Sequence, residues 1–451
     1  MAKPKKIYEC QACGFVSGKW MGKCTNCGAW DSFLEVDEES QKYTLKKISL
    51  TNDEQKAISI TEVKEDNIER ISSYEKELDS VLGGGIVPGS LTLIGGSPGI
   101  GKSTLLLKVA GNLALNGKKS LYVSAEESAG QIKLRANRLG ANQKELYLLA
   151  EIRLEKIFEE LRSAQIKYEL VIIDSIQTIY SDALSSSPGS VTQVREITFE
   201  LMRFAKETHT AIFIIGHITK EGSIAGPRVL EHMVDTVLYF EGDSSKEIRI
   251  LRAFKNRFGT TSEIGVFEMG KNGLFSASDI SKKFFSAMIK SPGSAKSVIL
   301  EGTRPLIIEV QALVSQSGYP NPKRSATGFD SNRLTMILAL LEKKLDLPFN
   351  QYDVFINITG GIKITETATD LAIVAAILSS YKNRPIDNQT IFIGEVSLIG
   401  DIRVSYQIEP RLKEAFTHGF KKAVIAKKPQ NQLSGIKCYE VDEVAKLLEW
   451  M

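Results

Sequence analysis

Three observations predict an α/β chain built on a parallel, doubly wound sheet, with a small metal-held module before it and a separate domain after it. Residues 95–104 read Gly-Gly-Ser-Pro-Gly-Ile-Gly-Lys-Ser-Thr, so Gly96, Gly101, Lys102 and Ser103 fill the fixed positions of a G-x-x-x-x-G-K-[ST] phosphate loop. Around that loop, short apolar runs alternate with segments of helical period. Ahead of it, two C-x-x-C pairs stand close together.

The whole composition bounds the answer first. A chain of 451 residues exceeds one typical hydrophobic core. Its 57 basic and 54 acidic side chains leave a net charge of only +3, so a nucleic-acid surface must come from local clusters. Met1–Lys6 is basic but no apolar signal region follows, and no run approaches the roughly 18 apolar residues of a membrane span. A cytoplasmic location without membrane contact is expected. Four of the five cysteines fall between Cys10 and Cys27, which in that compartment argues for metal over disulfides.

The boundaries read from the sequence are a cysteine module at 1–34, a polar linker at 35–66, an ATP-handling domain at 67–280, and a C-terminal domain at 281–451 set off by Ser291-Pro292-Gly293-Ser294. In the first module, Cys10, Cys13, Cys24 and Cys27 supply two knuckles able to close a tetrahedral Zn²⁺ site; Gly14 and Gly28 follow the second cysteine of each pair. A redox dithiol is the competing reading, and no thioredoxin-like βαβ pattern surrounds either pair. Lys3, Lys5, Lys6, Lys19 and Lys23 outnumber Glu9 and Asp31, and Trp20 and Trp30 offer flat rings. That mixture suits nucleic acid or a protein partner; equally, the rings pack on the knuckles while the lysines are solvated. Cys438 stands alone and reads as a packed small residue.

In the second domain the strands are expected at Ser90–Gly95, Ser120–Ser124, Leu146–Leu149, Leu170–Asp174 and Ala211–Gly216, with antiparallel additions at Thr236–Phe240 and Ile248–Phe254. Helices are expected at Ser103–Leu115, Arg153–Ala164 and Glu196–Glu207. Gly96, Ser97, Pro98, Gly99, Ile100, Gly101, Lys102, Ser103 and Thr104 should wrap a triphosphate in backbone N–H groups at a helix N-terminus. Lys102 reaches the β- and γ-phosphates, and the Ser103 hydroxyl ligates Mg²⁺. Val171-Ile172-Ile173-Asp174 ends an apolar strand on a carboxylate of Walker B type, which places Asp174 in the Mg²⁺ shell through water. Glu126 and Glu127 follow the second strand; Glu126 is taken as the base that orients water, although both also suit the first turn of a helix. His217 ends a further strand, where it can sense the γ-phosphate and pass that state to the loop Thr219–Arg228. Lys255, Asn256, Arg257, Phe258 and Gly259 end another. Its two cations, two residues apart, serve a neighbouring subunit's phosphates, a DNA phosphate, or a solvated loop.

Taken together, C-x-x-C…C-x-x-C, the phosphate loop, Ser-Ala-Glu-Glu-Ser, Ile-Asp-Ser-Ile-Gln-Thr, Gly-His-Ile-Thr-Lys-Glu-Gly and Lys-Asn-Arg-Phe-Gly closely resemble the bacterial RadA (Sms) family over essentially the whole chain. The resemblance implies a RecA-like ATPase core that uses ATP and Mg²⁺, a zinc finger, and a hexameric ring with ATP between subunits and single-stranded and branched DNA in its channel. It also implies helicase-like branch migration beside a RecA-type recombinase. Lys255 and Arg257 become trans-acting or DNA-coupled cations, and His217 the γ-phosphate sensor. Relatives often carry an acid where Ser97 stands, a position that projects away from the fixed loop contacts.

The C-terminal region resembles the α+β proteolytic domain of Lon, with one departure. Gly394–Gly400 matches the strand before the Lon lysine, but Ala368 stands where Lon has its serine, and the expected lysine falls near Ile408-Glu409-Pro410. A domain without peptidase activity follows. Lys323, Arg324, Arg333 and Lys344 then serve DNA contact or ring assembly, or are solvated. The leading expectation is a DNA-dependent ATPase motor; an ATP-controlled loading factor that does not translocate is the alternative.

Overall fold

Period-two alternation in the central apolar runs sends successive side chains to opposite faces, and both faces here must be covered. In a computed structural model they are. The structure describes residues 6–10, 15–26, 28, 30, 32–37, 59, 61, 69–163, 165–216, 229–241, 248–271, 273–277, 291–359, 362–430 and 435–450. They divide into two compact units, Met1–Ser276 and Ala277–Met451. Among them, no helix is long and apolar enough to cross a membrane.

The cysteine module is a three-stranded antiparallel sheet in which β1 (Lys6–Cys10) lies between β2 (Val16–Ser17) and β3 (Phe33–Asp37). Pairing of Lys6 with Asp37 carries this sheet three residues into the stretch read as linker.

The central sheet has nine strands: β4 (Leu91–Gly96), β5 (Ser120–Ser124), β6 (Leu146–Ala150), β7 (Leu170–Asp174), β8 (Ala211–Ile215), β9 (Thr236–Glu241), β10 (Ile248–Asn256), β11 (Ile264–Gly270) and β12 (Gly273–Ser276), in spatial order β12-β11-β10-β9-β4-β8-β7-β5-β6. On one face Ile94, Tyr122, Ile172 and Phe213 pack beneath helices Lys76–Leu82, Lys102–Leu115 and Ala129–Leu139. On the other, Leu93, Val123, Ile173 and Ile214 meet helices Leu154–Leu161 and Val191–Thr208. Each such side chain contributes about 1.5–3 kcal/mol on burial. A capping box between Ser128 and Gln131 starts the helix after β5, and Ser190 accepts from the Gln193 amide to start the helix before β8.

One expectation is corrected. Thr236–Phe240 is not an antiparallel addition: β9 runs parallel to β4, with Thr92 opposite Thr236 and Gly96 opposite Phe240. The chain crosses over after β8 through helix Val229–Met233 and re-enters at the same end of the sheet, so only β10, β11 and β12 are hairpin-linked antiparallel strands.

In the second unit, β13 (Ser294–Glu301), β14 (Arg304–Gln316), β15 (Arg324–Thr327) and β16 (Tyr352–Ile358) form a sheet in the order β13-β14-β16-β15. The small-residue helix Asp370–Tyr381 is buried from Asp370 through Ser379. Three parallel strands, Thr390–Ile393, Lys422–Ile425 and Lys437–Glu440, complete the α+β unit, whose core includes Ala368, Ile391, Leu412 and Ala423. Cys438 packs against that cluster as a small apolar residue, and burial pushes its thiol above the usual range.

Candidate nucleotide site

The loop after β4 has the backbone of an anion cradle. Gly96, Gly99 and Gly101 hold φ values of +154°, +75° and +115°. A Cβ on Gly101 would stand 2.7 Å from Leu274 Cδ1, and its φ of +115° lies in the region that favours glycine, so a side chain there would strain the loop. Gly101 caps helix Lys102–Leu115, whose first amides face the loop. Ser97, Pro98 and Gly99 are exposed and Ile100 is buried in the core, which anchors the loop at its midpoint.

Lys102 is 4% exposed, and its Nζ donates to Gly96 O at 2.7 Å and Ser97 O at 3.1 Å. Burial pushes its ammonium down to about 8, against the pull of Asp174 and Glu126. Those two carboxylates therefore stand with the lysine, as the strand order requires: β7 lies one strand from β8 and one from β5. Tyr122 Oη donates to Asp174 Oδ2 at 2.5 Å and also hydrogen-bonds the Ser103 side chain. Burial, then the Asp174 charge, raises the Tyr122 phenol well above 10, so it is a permanent donor. Ser175 Oγ donates to Glu126 Oε1 at 2.7 Å. The Asp174–Ser175 peptide is cis. The two neighbouring glutamates separate by role: Glu127 pairs with Arg135 on the following helix, whereas Glu126 is exposed beside Ser175. Thr104 lies on the next turn with its methyl against the backbone of Gly273.

The donor set fits a triphosphate with Mg²⁺. A glycine loop with positive φ at Gly96, Gly99 and Gly101, a buried ammonium resting on loop carbonyls, and a hydroxyl–phenol–carboxylate chain of hard oxygens are present together. Sequence reasoning missed Tyr122; its signal was a polar-tipped residue at the inward position of β5, two residues before Ser124, which pairs with Asp174. Tyr122→Phe is expected to raise the Mg²⁺ concentration needed for half-maximal hydrolysis and to lower turnover about 10–100-fold, because Asp174 loses the donor that orients it. A Mg²⁺ titration of hydrolysis checks this. Triphosphate binding also needs the charged Lys102, so affinity should be full below about pH 8 and fall by up to about tenfold per pH unit above it. Titrating a non-hydrolysable ATP analogue against pH measures it, and Lys102→Arg should flatten the profile.

His217 and 219–228 lie outside the described residues. Strand β8, which leads to them, ends with Gly216 N donating to Ile94 O at 2.9 Å, beside the phosphate loop.

Lys-Asn-Arg-Phe-Gly occupies the opposite end of the sheet. Lys255 Nζ donates to Glu231 O at 2.9 Å, His232 O at 3.1 Å and Val234 O at 2.8 Å, closing the C-terminus of helix Val229–Met233. Burial and the Arg257 charge lower its ammonium below the usual range. Arg257 bonds the buried Asp235 carboxylate at 3.2 Å, whose other oxygen accepts from Leu91 N at 3.1 Å, yet half of the guanidinium side chain remains exposed. A bulge between Ala253 and Lys255 interrupts β10, but both cations still end on the 231–235 segment. Asn256 Nδ2 donates to Val81 O, Arg70 Nη2 donates to Phe258 O, and Gly259 packs against Gly83, where a Cβ would stand 3.1 Å from the Gly83 Cα. From Leu91 to Gly96 the sheet spans about 16 Å, so Arg257, beside the Leu91 end, stands far from the phosphate loop of its own subunit, while Lys255 is level with Leu93, about 10 Å from Gly96.

Cys10 and Cys24 are both buried, in a cluster with Phe33 and with Tyr8 and Met21 partly buried. So small a core favours metal support, and thiolate donors suit Zn²⁺. Cys13 and Cys27 lie outside the described residues. In the second unit, Arg333 pairs with the buried Asp370 and donates to Val396 O, and Arg324 pairs with Glu342. Lys323 sits 5.3 Å from the Tyr319 ring, and the Lys344 stem lies over Gly400.

Comparison with known proteins decides the family. DNA repair protein RadA of Campylobacter jejuni is 57% identical over 451 residues, all of both chains. RadA of Helicobacter pylori is 58% identical over 453 residues, again all of both, and RadA of Bacillus subtilis is 46% identical over 456 residues, covering 100% of this chain and 98% of that one. The chain belongs to the RadA family of DNA repair proteins. Within this RadA-family chain, residues 8–35 match a rubredoxin metal binding domain, residues 59–223 an AAA domain, and residues 325–429 the subunit ChlI of Mg-chelatase. The core is thus an AAA-type ATPase domain, implying ATP with Mg²⁺, and the ribbon suggests Zn²⁺. A solved RadB recombinase aligns with 46% of the chain and 99% of its own at 23% identity and a TM-score of 0.37.

Proposed function

We propose that this RadA-family chain is an ATP-driven motor on single-stranded and branched DNA that promotes branch migration beside a RecA-type recombinase. The chain works as a homo-oligomeric, hexameric ring with nucleotide between subunits. The observation that carries the reading is the distance between two sites: Arg257, tied through Asp235 to the Leu91 end of β4, stands about 16 Å along the sheet from its own phosphate loop and is half-exposed. A cation so placed serves another molecule, and a neighbouring subunit's phosphates or a DNA phosphate are the acceptors Arg257 fits, while Lys255 braces the segment that carries Asp235. Lys102, Glu126 and Asp174 carry hydrolysis; Ser103 and Asp174 hold Mg²⁺; His217 senses the γ-phosphate.

The second unit acts without peptidase chemistry. Ala368 is 5% exposed in an apolar cluster, and Ile408, in the Ile408-Glu409-Pro410 stretch near which a dyad lysine is expected, packs on the same cluster. Neither offers a nucleophile or a base.

The test is hydrolysis with and without single-stranded DNA, together with unwinding of a forked duplex. Wild type should show DNA-stimulated hydrolysis and ATP-dependent strand separation. Arg257→Ala should keep its affinity for an ATP analogue and lose stimulated turnover by about 10²-fold or more. If DNA stimulates nothing and strand extension proceeds equally with a non-hydrolysable analogue, the chain is a loader rather than a motor.

A further inference from the structure

The cysteine ribbon leaves its two tryptophans out of its core. The buried cluster is Cys10, Cys24 and Phe33, supported by Tyr8 and Met21, while Trp20 and Trp30 are 54% and 73% exposed. Packing on the metal knuckles therefore does not explain them. Lys23 pairs with Trp30 across an isolated antiparallel bridge, and its Nζ lies 5.3 Å from that ring. Trp20, three residues earlier, rests its ring edge on the backbone of Gly22, and exposed Lys19 precedes it in a turn closed by Ser17. Up to residue 34 the sequence holds five lysines against Glu9 and Asp31.

From this placement we infer that the exposed Trp20 and Trp30 of the ribbon bind single-stranded nucleic acid, with bases stacking on the indoles while Lys19 and Lys23 meet the phosphates. Exposed rings interleaved with ammonium groups answer both features of an unpaired strand, its π-faces and its charge; a duplex offers its base faces only at its ends. A protein-binding patch is the rival occupant. Protein interfaces favour Trp in company with Arg and Met and are depleted in Lys, whereas the cations here are lysines. The inference does not rest on motor action, because binding is read without hydrolysis.

The experiment uses the full chain bearing Trp450→Phe, which leaves Trp20 and Trp30 as its only indoles. Oligothymidylate is added without nucleotide while indole emission and the anisotropy of a labelled strand are followed. Saturable quenching is expected. Trp20→Ala with Trp30→Ala should weaken oligothymidylate binding about tenfold or more, and the corresponding Phe pair should recover part of it. Lys19→Gln with Lys23→Gln should lower the salt dependence by about 0.7 for each phosphate that is no longer neutralised. Zinc content reports whether the ribbon still folds; if the Ala pair loses zinc, the quench in the parent and the labelled-strand anisotropy of the Phe pair decide. Absent quenching with affinity unchanged within about twofold overturns the inference. So does an Ala pair that binds oligothymidylate normally but no longer captures a RecA-type recombinase. Loss of DNA-stimulated hydrolysis with quenching intact would instead count against the motor.

Discussion

Lys102→Ala is expected to abolish hydrolysis, by at least about 10²–10³-fold, without lowering the thermal midpoint. The two halves of that expectation have one cause. Lys102 is 4% exposed, and its ammonium donates to Gly96 O and Ser97 O. Burial lowers its folded pKa to about 8, whereas an unfolded lysine titrates near 10.4, so the charged form opposes folding at neutral pH. That penalty is full below the folded pKa and fades as pH rises from about 8 towards 10.4. Alanine removes the penalty together with the grip on phosphate. Glu126→Gln should behave differently, keeping nucleotide affinity while losing about 10²–10⁴-fold in turnover, since it removes only the group that handles water. Binding of a fluorescent ATP analogue, turnover and a melting curve on both variants separate these cases. A Glu126→Gln chain that hydrolyses normally moves the base elsewhere.

The second large effect is on stability. Arg411 is 1% exposed and is held on every side: Nη1 and Nη2 donate to the Glu366 carboxylate at 2.7 and 2.6 Å, Nη1 to Val298 O at 2.5 Å, and Nε to Tyr406 O at 3.0 Å. Glu366 Oε1 also accepts from Leu300 N. Removing one member strands the other beside unpaired carbonyls, so Arg411→Ala should destabilise the second unit by about 3–5 kcal/mol. Arg411→Met with Glu366→Gln should restore a large part of it, because the desolvated charges leave together. Urea unfolding followed through Trp450, in a chain with Trp20→Phe and Trp30→Phe, reports this unit. A loss below about 1 kcal/mol for Arg411→Ala would show that water replaces the guanidinium.

Legibility in the sequence tracked the range of the interactions. The phosphate loop, the strand ending at Asp174 and the apolar runs of β4, β5, β7 and β8 depend on neighbours in sequence and were read directly. The direction of β9 was not, since an isolated apolar run carries no record of which strand it will meet. Tyr122 was missed because its partners, Ser103 and Asp174, come from two other elements. The tryptophans were ambiguous for the opposite reason: large rings near cysteines look like core until a packing cluster forms without them. Arg411, five residues before a phenylalanine on an ordinary amphipathic helix, gave no sign of the carboxylate it would meet.

Strand β4 joins two duties at its ends. Gly96 opens the phosphate loop, while Leu91 N is tied to Asp235, the carboxylate that Arg257 grips. If subunits close a ring, what each one holds and what it offers its neighbour are fixed to opposite tips of one stiff rod. A tilt of a few degrees on gaining or losing a phosphate swings the far tip by about 1 Å, a misplacement that costs a reacting site about 10²-fold in rate. Firing order around the ring would then be set by leverage, with each subunit cocked by the one beside it.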